Sequence, residues 1–259
     1  MDIISSLSNP LVKKIRSLRQ KKNRAENGMF LVEGIHHVGE VVAAGWDVDV
    51  IVHAPELLSS QYAKELLDKA SGSGIKLQPV SSQVAESLAD KENPQGILAV
   101  VRQKTFSPES LTSPKRVVAL VSPQDPGNLG TILRTMDAVR ADALFLLDGG
   151  VDLYHPTVIR ASMGALFWTP VIQTNFNEFI NWAAENKLQL IGTSAKADVE
   201  YFTLTPQLPW ALVLGSEQKG LSPEQISACD VTISIPMGGH VSSLNLAVAA
   251  GVLLYQYIK

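Results

Sequence analysis

Residues 235–256 read IPMGGHVSSLNLAVAAGVLLYQ, and this stretch decides the fold of the second half of the chain. An apolar run that begins at Val231 predicts a buried strand, and a second apolar run from Leu244 predicts a helix that is apolar on every side. Glycines and short polar side chains, in the order GGHVSSLN, separate the two runs. Two core elements are thus joined by a junction whose composition a simple turn does not explain.

Helix chemistry accounts for only part of this junction. Ser242 or Ser243 is predicted to cap the helix, because a serine hydroxyl can accept a hydrogen bond from a free N–H at a helix start. Gly251 weakens a helix by about 1 kcal/mol relative to alanine, so we expect close helix packing at that position. Neither point explains why the glycine pair and Asn245 occur together.

The composition indicates a globular chain of one or two domains. Its 259 residues are 46% hydrophobic and 18% charged, which is enough apolar material for a sizeable core. No apolar run reaches the length of a membrane span, and the N-terminus lacks the order of a signal peptide, so no membrane partner is expected. Cys229 is the single cysteine and cannot form an internal disulfide, which favours the cytoplasm.

Basic residues are concentrated at the N-terminus. Residues 1–25 contain seven of them and one acid, Asp2, so this segment has a net charge of +6, against −3 for the whole chain and −9 for the remainder. Such asymmetry favours contact with nucleic acid, although a solvated amphipathic helix explains it too. Leu11, Ile15 and Leu18 recur at helical spacing, so a helix is predicted under either interpretation.

Strand-like and helix-like runs alternate twice along the chain, which predicts an α/β protein. The first series predicts a small α/β domain over residues 1–102. Residues 103–115, QKTFSPESLTSPK, are rich in proline, serine and threonine and predict a linker. The second series, residues 116–259, has six strand candidates that are mostly continuous apolar runs, which favours a parallel sheet covered on both faces.

Several common catalytic signatures are absent from the sequence. No histidine lies in an HExxH-type pattern and one cysteine cannot supply a zinc site, so no metal is expected. There is no GxSxG, no Walker A loop and no full GxGxxG after a strand. His240 lies in the glycine-rich junction, but its pattern assigns it no role.

A second junction lies between a predicted strand and the helix in PQDPGNLGTILRTMDA, residues 123–138. Asn128 is predicted to cap this helix, since asparagine is a favoured N-cap residue. Arg134 lies nearly opposite the apolar face of the helix, where an ordinary exposed arginine and a functional one are equally plausible.

A third junction follows a predicted strand in LVLGSEQKGLSPE, residues 212–224. Gly215 at the strand end permits a ligand to approach the backbone closely. Ser222 is predicted to cap a short helix that has Pro223 at its first position. That local account leaves Ser216, Glu217 and Lys219 unexplained.

Together the three junctions resemble the motifs of SpoU-type (TrmH-type) RNA 2′-O-ribose methyltransferases of the SPOUT superfamily. The first family motif, N-x-G-x-x-x-R-T, matches Asn128, Gly130, Arg134 and Thr135. The second, G-x-E-x-x-G-L, matches Gly215, Glu217, Gly220 and Leu221. The third, I-P-M-x-G-x-V-x-S-L-N, matches residues 235–245 almost letter for letter. The N-terminal half resembles more loosely the family's ribosomal-protein-like substrate-binding domain, through SNPLVKKIRSLRQKKNR and FLVEG.

The resemblance implies a fold, a cofactor and a set of site residues. The fold would be a parallel-sheet SPOUT domain with a trefoil knot, preceded by a smaller α/β substrate-binding domain. The cofactor would be S-adenosyl-L-methionine, and the residues expected to contact it are Gly215, Ile235, Leu244, Thr193 and Met237. The residues expected to act on the ribose are Arg134, Asn128, Glu217, Ser243 and Asn245. The RNA-binding candidates are Lys13, Lys14, Arg16, Lys21, Lys22 and, in the family-like stretch RASMGALF, Arg160.

The implied reaction is methyl transfer to a ribose 2′-hydroxyl of RNA, and the extra domain favours large-subunit ribosomal RNA. The pKa of arginine exceeds about 12, so Arg134 is expected to stabilise the forming alkoxide or to position a phosphate rather than to act as a base. A homodimer is expected, with an interface on the final helix at Leu246, Val248, Leu253, Leu254 and Tyr257. A non-catalytic RNA-binding protein of the same fold and a transfer RNA 2′-O-methyltransferase are the alternatives.

Overall fold

The computed structural model describes residues 2–90 and 95–258. The chain divides into two compact units. The first consists of Met1–Lys104 and Tyr154–Arg160, and the second of Thr105–Leu153 and Ala161–Lys259. Within the described residues, no helix is both long enough and apolar enough to cross a membrane.

The first unit is a four-stranded mixed sheet with helices packed against it. Its elements are α1 (Pro10–Ser17), α2 (Lys21–Asn27), β1 (Met29–Glu33), α3 (Ile35–Ala43), β2 (Val48–His53), α4 (Gln61–Gly72), β3 (Leu77–Pro79), α5 (Ser82–Leu88) and β4 (Ile97–Arg102). The strand order is β1-β4-β2-β3, with β4 antiparallel to both neighbours and β2 parallel to β3. Val12 and Ile15 on α1 pack into the same core cluster as Val50 and Val100 of the central strands.

The basic segment forms two helices where one was predicted. The chain leaves α1 at Leu18, and Arg24 of α2 turns back so that its Nη1 donates to the carbonyls of Leu18 and Arg19 at 3.0 and 2.7 Å. Arg24 is 3% exposed. Its charge therefore stabilises the corner between the helices, because carbonyls at a helix end lack partners in their own helix.

The second unit is a seven-stranded parallel sheet covered by helices, as the continuous apolar runs predict. Its elements are β5 (Arg116–Val121), α6 (Pro126–Ala138), β6 (Ala143–Leu147), β7 (Val171–Thr174), α8 (Phe176–Glu185), β8 (Gln189–Thr193), β9 (Val199–Glu200), β10 (Trp210–Leu214), α9 (Pro223–Ser227), β11 (Val231–Ser234) and α10 (Leu246–Tyr257). The helix α7 (Pro156–Ala161) falls largely in the first unit. Each neighbouring pair in the order β7-β6-β5-β10-β8-β11-β9 is parallel. The short strand β9 was not predicted, because two residues carry no periodic signal.

The strand order of the second unit determines where a ligand site can form. From β5 the chain first builds outward through β6 and β7, and it then returns to build β8, β10 and β11 on the other side of β5. In an open parallel sheet, a crevice for ligands forms at the carboxyl ends of the strands where the order reverses. The loops after β5, β8, β10 and β11 therefore meet at one edge.

The observed division of the chain differs from the predicted domain bounds in two places. Phe106 and Leu111, in the predicted linker 103–115, pack against the core of the second unit. Tyr154–Arg160, inside the predicted second domain, is grouped with the first unit, where Tyr154 packs against Phe30 with ring centroids 4.4 Å apart. The Tyr154 hydroxyl also accepts from the Lys104 N–H and donates to its carbonyl. Burial of an aromatic ring explains why this short segment leaves its neighbours in the sequence.

Candidate active site at the carboxyl edge of the parallel sheet

A pocket of about 790 Å³ lies at the carboxyl ends of β8, β10 and β11. The five residues predicted to contact a cofactor, namely Thr193, Gly215, Ile235, Met237 and Leu244, all line it. The volume lies within the range of about 300 to 1,000 Å³ that is usual for small-molecule sites. The structure thus brings together residues that are up to 51 positions apart, from three loops, around one pocket.

Gly215 is required by the packing of its own loop. A Cβ atom at this position would lie 2.0 Å from the carbonyl carbon of Gly220 and 2.3 Å from the nitrogen of Leu221. The loop that follows β10 folds back against the strand end, and Gly220 adopts a left-handed φ of +65° to close it. Only glycine therefore fits at the strand end, which brings the loop backbone to the pocket wall.

The loop from Ile235 to Leu244 leaves its backbone polar groups available. No N–H or C=O of this loop makes a hydrogen bond to another described residue. Backbone groups next to a pocket are normally paired with protein, water or a ligand. Ile235, Met237, Ser242, Ser243 and Leu244 of this loop line the pocket. Their available backbone groups fit a ligand that is held through the backbone, as S-adenosyl-L-methionine would be here.

A chain of amide hydrogen bonds connects the three junctions at the pocket. The Nδ2 of Asn245 donates to the Oδ1 of Asn128 at 2.8 Å, and the Nδ2 of Asn128 donates to the Oε1 of Glu217 at 3.2 Å. The Oδ1 of Asn245 accepts from the N–H groups of Ala247 and Val248, so its other amide atom must be the donor. Each amide orientation is thereby set by its neighbour.

Glu217 also holds the loop before α6. Its Oε2 accepts from the Gln124 N–H at 3.0 Å, and its Oε1 accepts from the Asp125 N–H at 3.2 Å. Burial raises the pKa of the Glu217 carboxyl, but donors from its own backbone, Asn128, Gln124 and Asp125 lower it further, so the pKa lies below its ordinary value. An ionised carboxylate that accepts several N–H groups fixes the position of α6 relative to the pocket.

Two helix caps differ from the prediction, and a third agrees with it. The N-cap of α6 is Asp125, whose Oδ1 accepts from the N–H of Asn128 at 2.7 Å, because the helix begins at Pro126. The N-cap of α10 is Asn245, not Ser242 or Ser243. Ser222 caps α9 in a reciprocal arrangement with Gln225, as predicted. Ser243, freed from capping, lines the pocket.

Arg134 is exposed, as the apolar pattern of α6 predicts, but it is not among the residues that line the pocket. It lies six residues after Asn128, which places it about 9 Å farther along the helix axis and about 120° around it. Its guanidinium makes no hydrogen bond or ion pair with any described residue. The structure therefore does not bring Arg134 together with the other four residues predicted to act on the ribose.

The N-terminal RNA-binding candidates differ in whether their side chains already have an ion-pair or hydrogen-bond partner. Lys14 pairs with Asp49 at 3.5 Å, Lys22 with Glu26 at 3.8 Å, and Arg16 donates to the Ser87 hydroxyl at 3.1 Å. In contrast, Lys13 and Lys21 are exposed and make no side-chain contact of this kind with another described residue. These two are the lysines with an available charge.

The side chain of Arg160, another RNA-binding candidate, already forms an ion pair with Asp90. Its Nη1 lies 2.6 Å from the Oδ2 of Asp90. The hydrogen bond and the charge of Arg160 hold the pKa of the Asp90 carboxyl below its ordinary value. This ion pair offsets part of the charge that Arg160 could offer to RNA.

No group of three His, Cys, Asp or Glu side chains that could hold a metal ion occurs in the part of the chain that the structure describes. His240 is exposed and does not line the pocket. Lys196 and Lys219 also line the pocket, although neither was among the predicted site residues. The sequence had marked Lys219 only as unexplained. The two lysines lie three and five residues after the ends of β8 and β10, and this position just beyond a strand end could have indicated that they line the site.

Both halves of the chain match known family models. Residues 115–255 match the model of the SpoU rRNA Methylase family, and residues 9–99 match that of the MRM3-like substrate binding domain. The two matches follow the same order along the chain as the two units of the structure.

Curated relatives and solved structures match nearly the whole chain. The 23S rRNA (guanosine(2553)-2′-O)-methyltransferase RlmP of Bacillus subtilis (strain 168) is 30% identical over 256 residues, which are 98% of each protein. A 23S rRNA (uridine(2479)-2′-O)-methyltransferase of Streptomyces viridochromogenes is 32% identical over 250 residues, 93% of this chain and 85% of that protein. The crystal structure of an AdoMet-bound rRNA methyltransferase from Sinorhizobium meliloti superposes with a TM-score of 0.89 at 32% identity, covering 98% of this chain and 96% of that one.

Proposed function

Because this chain belongs to the SpoU rRNA methylase family, we propose that it transfers a methyl group from S-adenosyl-L-methionine to a ribose 2′-hydroxyl of large-subunit ribosomal RNA. The observation that carries the proposal is the hydrogen-bonded series Asn245–Asn128–Glu217 beside the pocket. It unites one residue from each family motif at the edge of a pocket of suitable size.

Binding is assigned to the loops that line the pocket. Thr193, Gly215, Ile235, Met237 and Leu244 would hold the cofactor, mainly through backbone groups. When bound, the cofactor supplies a methyl group that its sulfonium has already activated. No metal is needed for that activation.

The chain's own task is to orient the ribose and to stabilise negative charge on its 2′-oxygen. Asn128, Asn245 and Ser243 would orient the ribose, while Glu217 holds the loop before α6 in place. The guanidinium of Arg134 would stabilise the 2′-oxygen as the hydroxyl proton leaves to solvent. A planar guanidinium can hold a phosphate oxygen and a ribose oxygen together.

A second copy of the chain would complete the site, since Arg134 lies away from the pocket of its own copy. Val248 and Tyr255 of α10 are 52% and 55% exposed, and a Cβ at Gly251 between them would meet nothing within 4 Å. These three residues form an open apolar face on a helix that packs against α6. We therefore propose a homodimer with this face at its interface.

The predicted dimer surface is corrected in part. Leu253, Leu254 and Tyr257 are at most 5% exposed, because they form the inner face of α10 within one copy. The close packing expected at Gly251 is also absent within one copy, since that position is open. A partner that covers the open face would explain a glycine there.

The dimer is tested by light scattering on the wild type and on Val248→Arg. A charged side chain in the interface should convert the dimer to a monomer. Phe202→Arg, at another exposed apolar position of the same unit, should leave the dimer mass unchanged. A wild-type protein that is monomeric at micromolar concentration contradicts the proposal.

The first unit is proposed to bind the RNA, with Lys13 and Lys21 supplying phosphate contacts. This proposal is supported by the match to a substrate-binding domain and by the excess of positive charge near the N-terminus. A cytoplasmic location, which the single cysteine and the ribosomal substrate favour, and the trefoil knot of the second unit belong to the same proposal.

The activity is tested with methyl-labelled S-adenosyl-L-methionine and 23S ribosomal RNA transcribed in vitro. Label should enter the RNA and should mark a linkage that resists alkali, because a 2′-O-methyl group removes the internal nucleophile. RNA binding without label transfer would favour the non-catalytic alternative. Methyl transfer to transfer RNA in place of 23S RNA would favour the second alternative, a transfer RNA 2′-O-methyltransferase. Mapping 2′-O-methyl groups in cells with and without the protein then identifies the nucleotide.

A further inference from the structure

Two lysines at the pocket have no role in the chemistry described above. Lys196 follows β8 and Lys219 follows β10, and both line the pocket. The two strands are neighbours in the sheet, so their loops leave the same edge side by side. Both side chains are exposed, and neither makes an ion pair or a side-chain hydrogen bond with another described residue.

The remaining ionisable residue in the pocket wall does not neutralise these lysines. Glu217 also lines the pocket, but its carboxylate accepts from Asn128 and from the N–H groups of Gln124 and Asp125. Glu217 keeps its own negative charge, so two lysines and one carboxylate give the pocket wall a net charge of +1. An exposed unpaired lysine presents a compact point charge that suits an anionic oxygen.

The sign of this charge distinguishes two anionic groups that could lie there. S-adenosyl-L-methionine has one carboxylate but also a sulfonium and an ammonium, so its net charge is positive and two lysines oppose its entry. RNA is a polyanion whose phosphates attract lysines and release counterions on binding. The net charge therefore favours an RNA phosphate over the cofactor carboxylate.

We propose that Lys196 and Lys219 form a phosphate-binding subsite that holds the RNA backbone next to the target ribose at the mouth of the pocket. This inference rests on the proposed function and adds a substrate-positioning element in the second unit, separate from the basic helices of the first. The subsite would place the target ribose at the pocket, whereas Lys13 and Lys21 would contribute affinity at a distance along the chain.

The test compares two double variants with the same change of net charge. Lys196→Gln with Lys219→Gln removes the proposed subsite. Lys115→Gln with Lys187→Gln is the matched control, since both of these exposed lysines precede strands, β5 and β8, at the opposite ends of the sheet strands. RNA affinity is measured from low to moderate salt with 23S ribosomal RNA transcribed in vitro, and cofactor affinity is measured by calorimetry without RNA.

We expect the subsite variant to lower the slope of log affinity against log salt by roughly 1.4 to 1.8, at about 0.7 to 0.9 for each phosphate that a lysine no longer neutralises. The control should lower it far less. Cofactor affinity of the subsite variant should be unchanged or slightly higher, because a repulsion is removed. In steady state, the KM for RNA should rise several-fold with kcat nearly constant, as for an interaction that is equally strong before and during the reaction.

Two results would overturn the inference. Weaker cofactor binding in the subsite variant would assign the lysines to the cofactor carboxylate. Equal salt slopes in the subsite and control variants would assign them to solvent. A wild-type protein that binds RNA but transfers no methyl group would contradict the proposed function, while the comparison of slopes would still decide the phosphate subsite.

Discussion

Asn245 and Asn128, which are 117 residues apart in the chain, are joined by a hydrogen bond of 2.8 Å from Nδ2 to Oδ1. Asn245 also caps α10 through its Oδ1, so one side chain begins a helix and connects two family motifs. A displacement of α10 would therefore move Asn128, and through it the contact with Glu217. Stability and site geometry depend on the same amide.

Asn245→Asp separates these two roles. Aspartate is as good an N-cap as asparagine, so thermal stability should stay near the wild-type value. It cannot donate to the Oδ1 of Asn128, so methyl transfer should fall on the order of 100-fold, as when an oriented donor is removed from an active site. Asn245→Ala, which removes the cap as well, should be less stable by about 1 kcal/mol. Full activity in the aspartate variant would remove the amide bridge from the mechanism.

Arg134→Lys should abolish most methyl transfer and leave cofactor binding near normal. Lysine keeps the charge but loses the planar fork, so turnover should fall on the order of 100-fold or more. The matched control is Arg140→Lys, at an exposed position just beyond the end of α6. Turnover and cofactor affinity are measured on the same preparations. A loss of cofactor binding would make the role of Arg134 structural.

Gly215→Ala should remove cofactor binding while the first unit stays folded. The new Cβ would lie 2.0 Å from a backbone carbon of Gly220, so the loop after β10 must move away from the strand end. The control is Gly72→Ala, where an added Cβ meets nothing within 4 Å. Calorimetry with S-adenosyl-L-methionine measures the effect, and normal affinity in the Gly215 variant would contradict the assigned loop geometry.

The contribution of Glu217 to stability should depend on pH in one direction. Its pKa is lowered in the folded protein, so the ionised carboxylate stabilises the fold above its ordinary pKa of 4.5, and this stabilisation is lost as the pH falls through the lower folded value. The difference in melting temperature between wild type and Glu217→Gln should be constant from pH 7 to about 5 and should narrow below about 4.5. Glu185→Gln, at an exposed position on α8, should show no such narrowing. A melting-temperature difference that widens on acidification would contradict a lowered pKa of Glu217 in the folded protein.

The two unpaired lysines of the basic helices should control RNA affinity more than the chemistry. Lys13→Ala with Lys21→Ala should lower the salt slope of RNA binding by roughly 1.4 to 1.8 while turnover at saturating RNA stays constant. Lys64→Ala with Lys69→Ala, on exposed positions of α4, provides the matched control in the same unit. Equal slopes in the two variants would assign Lys13 and Lys21 to solvent.

Local sequence patterns determined the class of the fold and the identity of the motifs. Continuous apolar runs in β5, β6 and β10 predicted buried parallel strands, and the cap at Ser222 followed from its neighbours, because both depend on residues close together in the chain. The predicted caps at Asn128 and at Ser242 or Ser243 were wrong. Asp125 and Asn245 compete for the same helix starts, and only the backbone geometry decides where a helix begins.

The tertiary structure decided which residues meet. The bond between Asn245 and Asn128 depends on the order of strands in the sheet, which hydrophobic periodicity does not encode. The same holds for the placement of Lys196 and Lys219 at one pocket. The open position of Gly251 and the separation of Arg134 from the pocket were equally invisible in the sequence, because a helical pattern gives the buried side of a helix but not its neighbours. The physical reason is that periodicity reports local burial, whereas a site is made by contacts between loops that are distant in the chain.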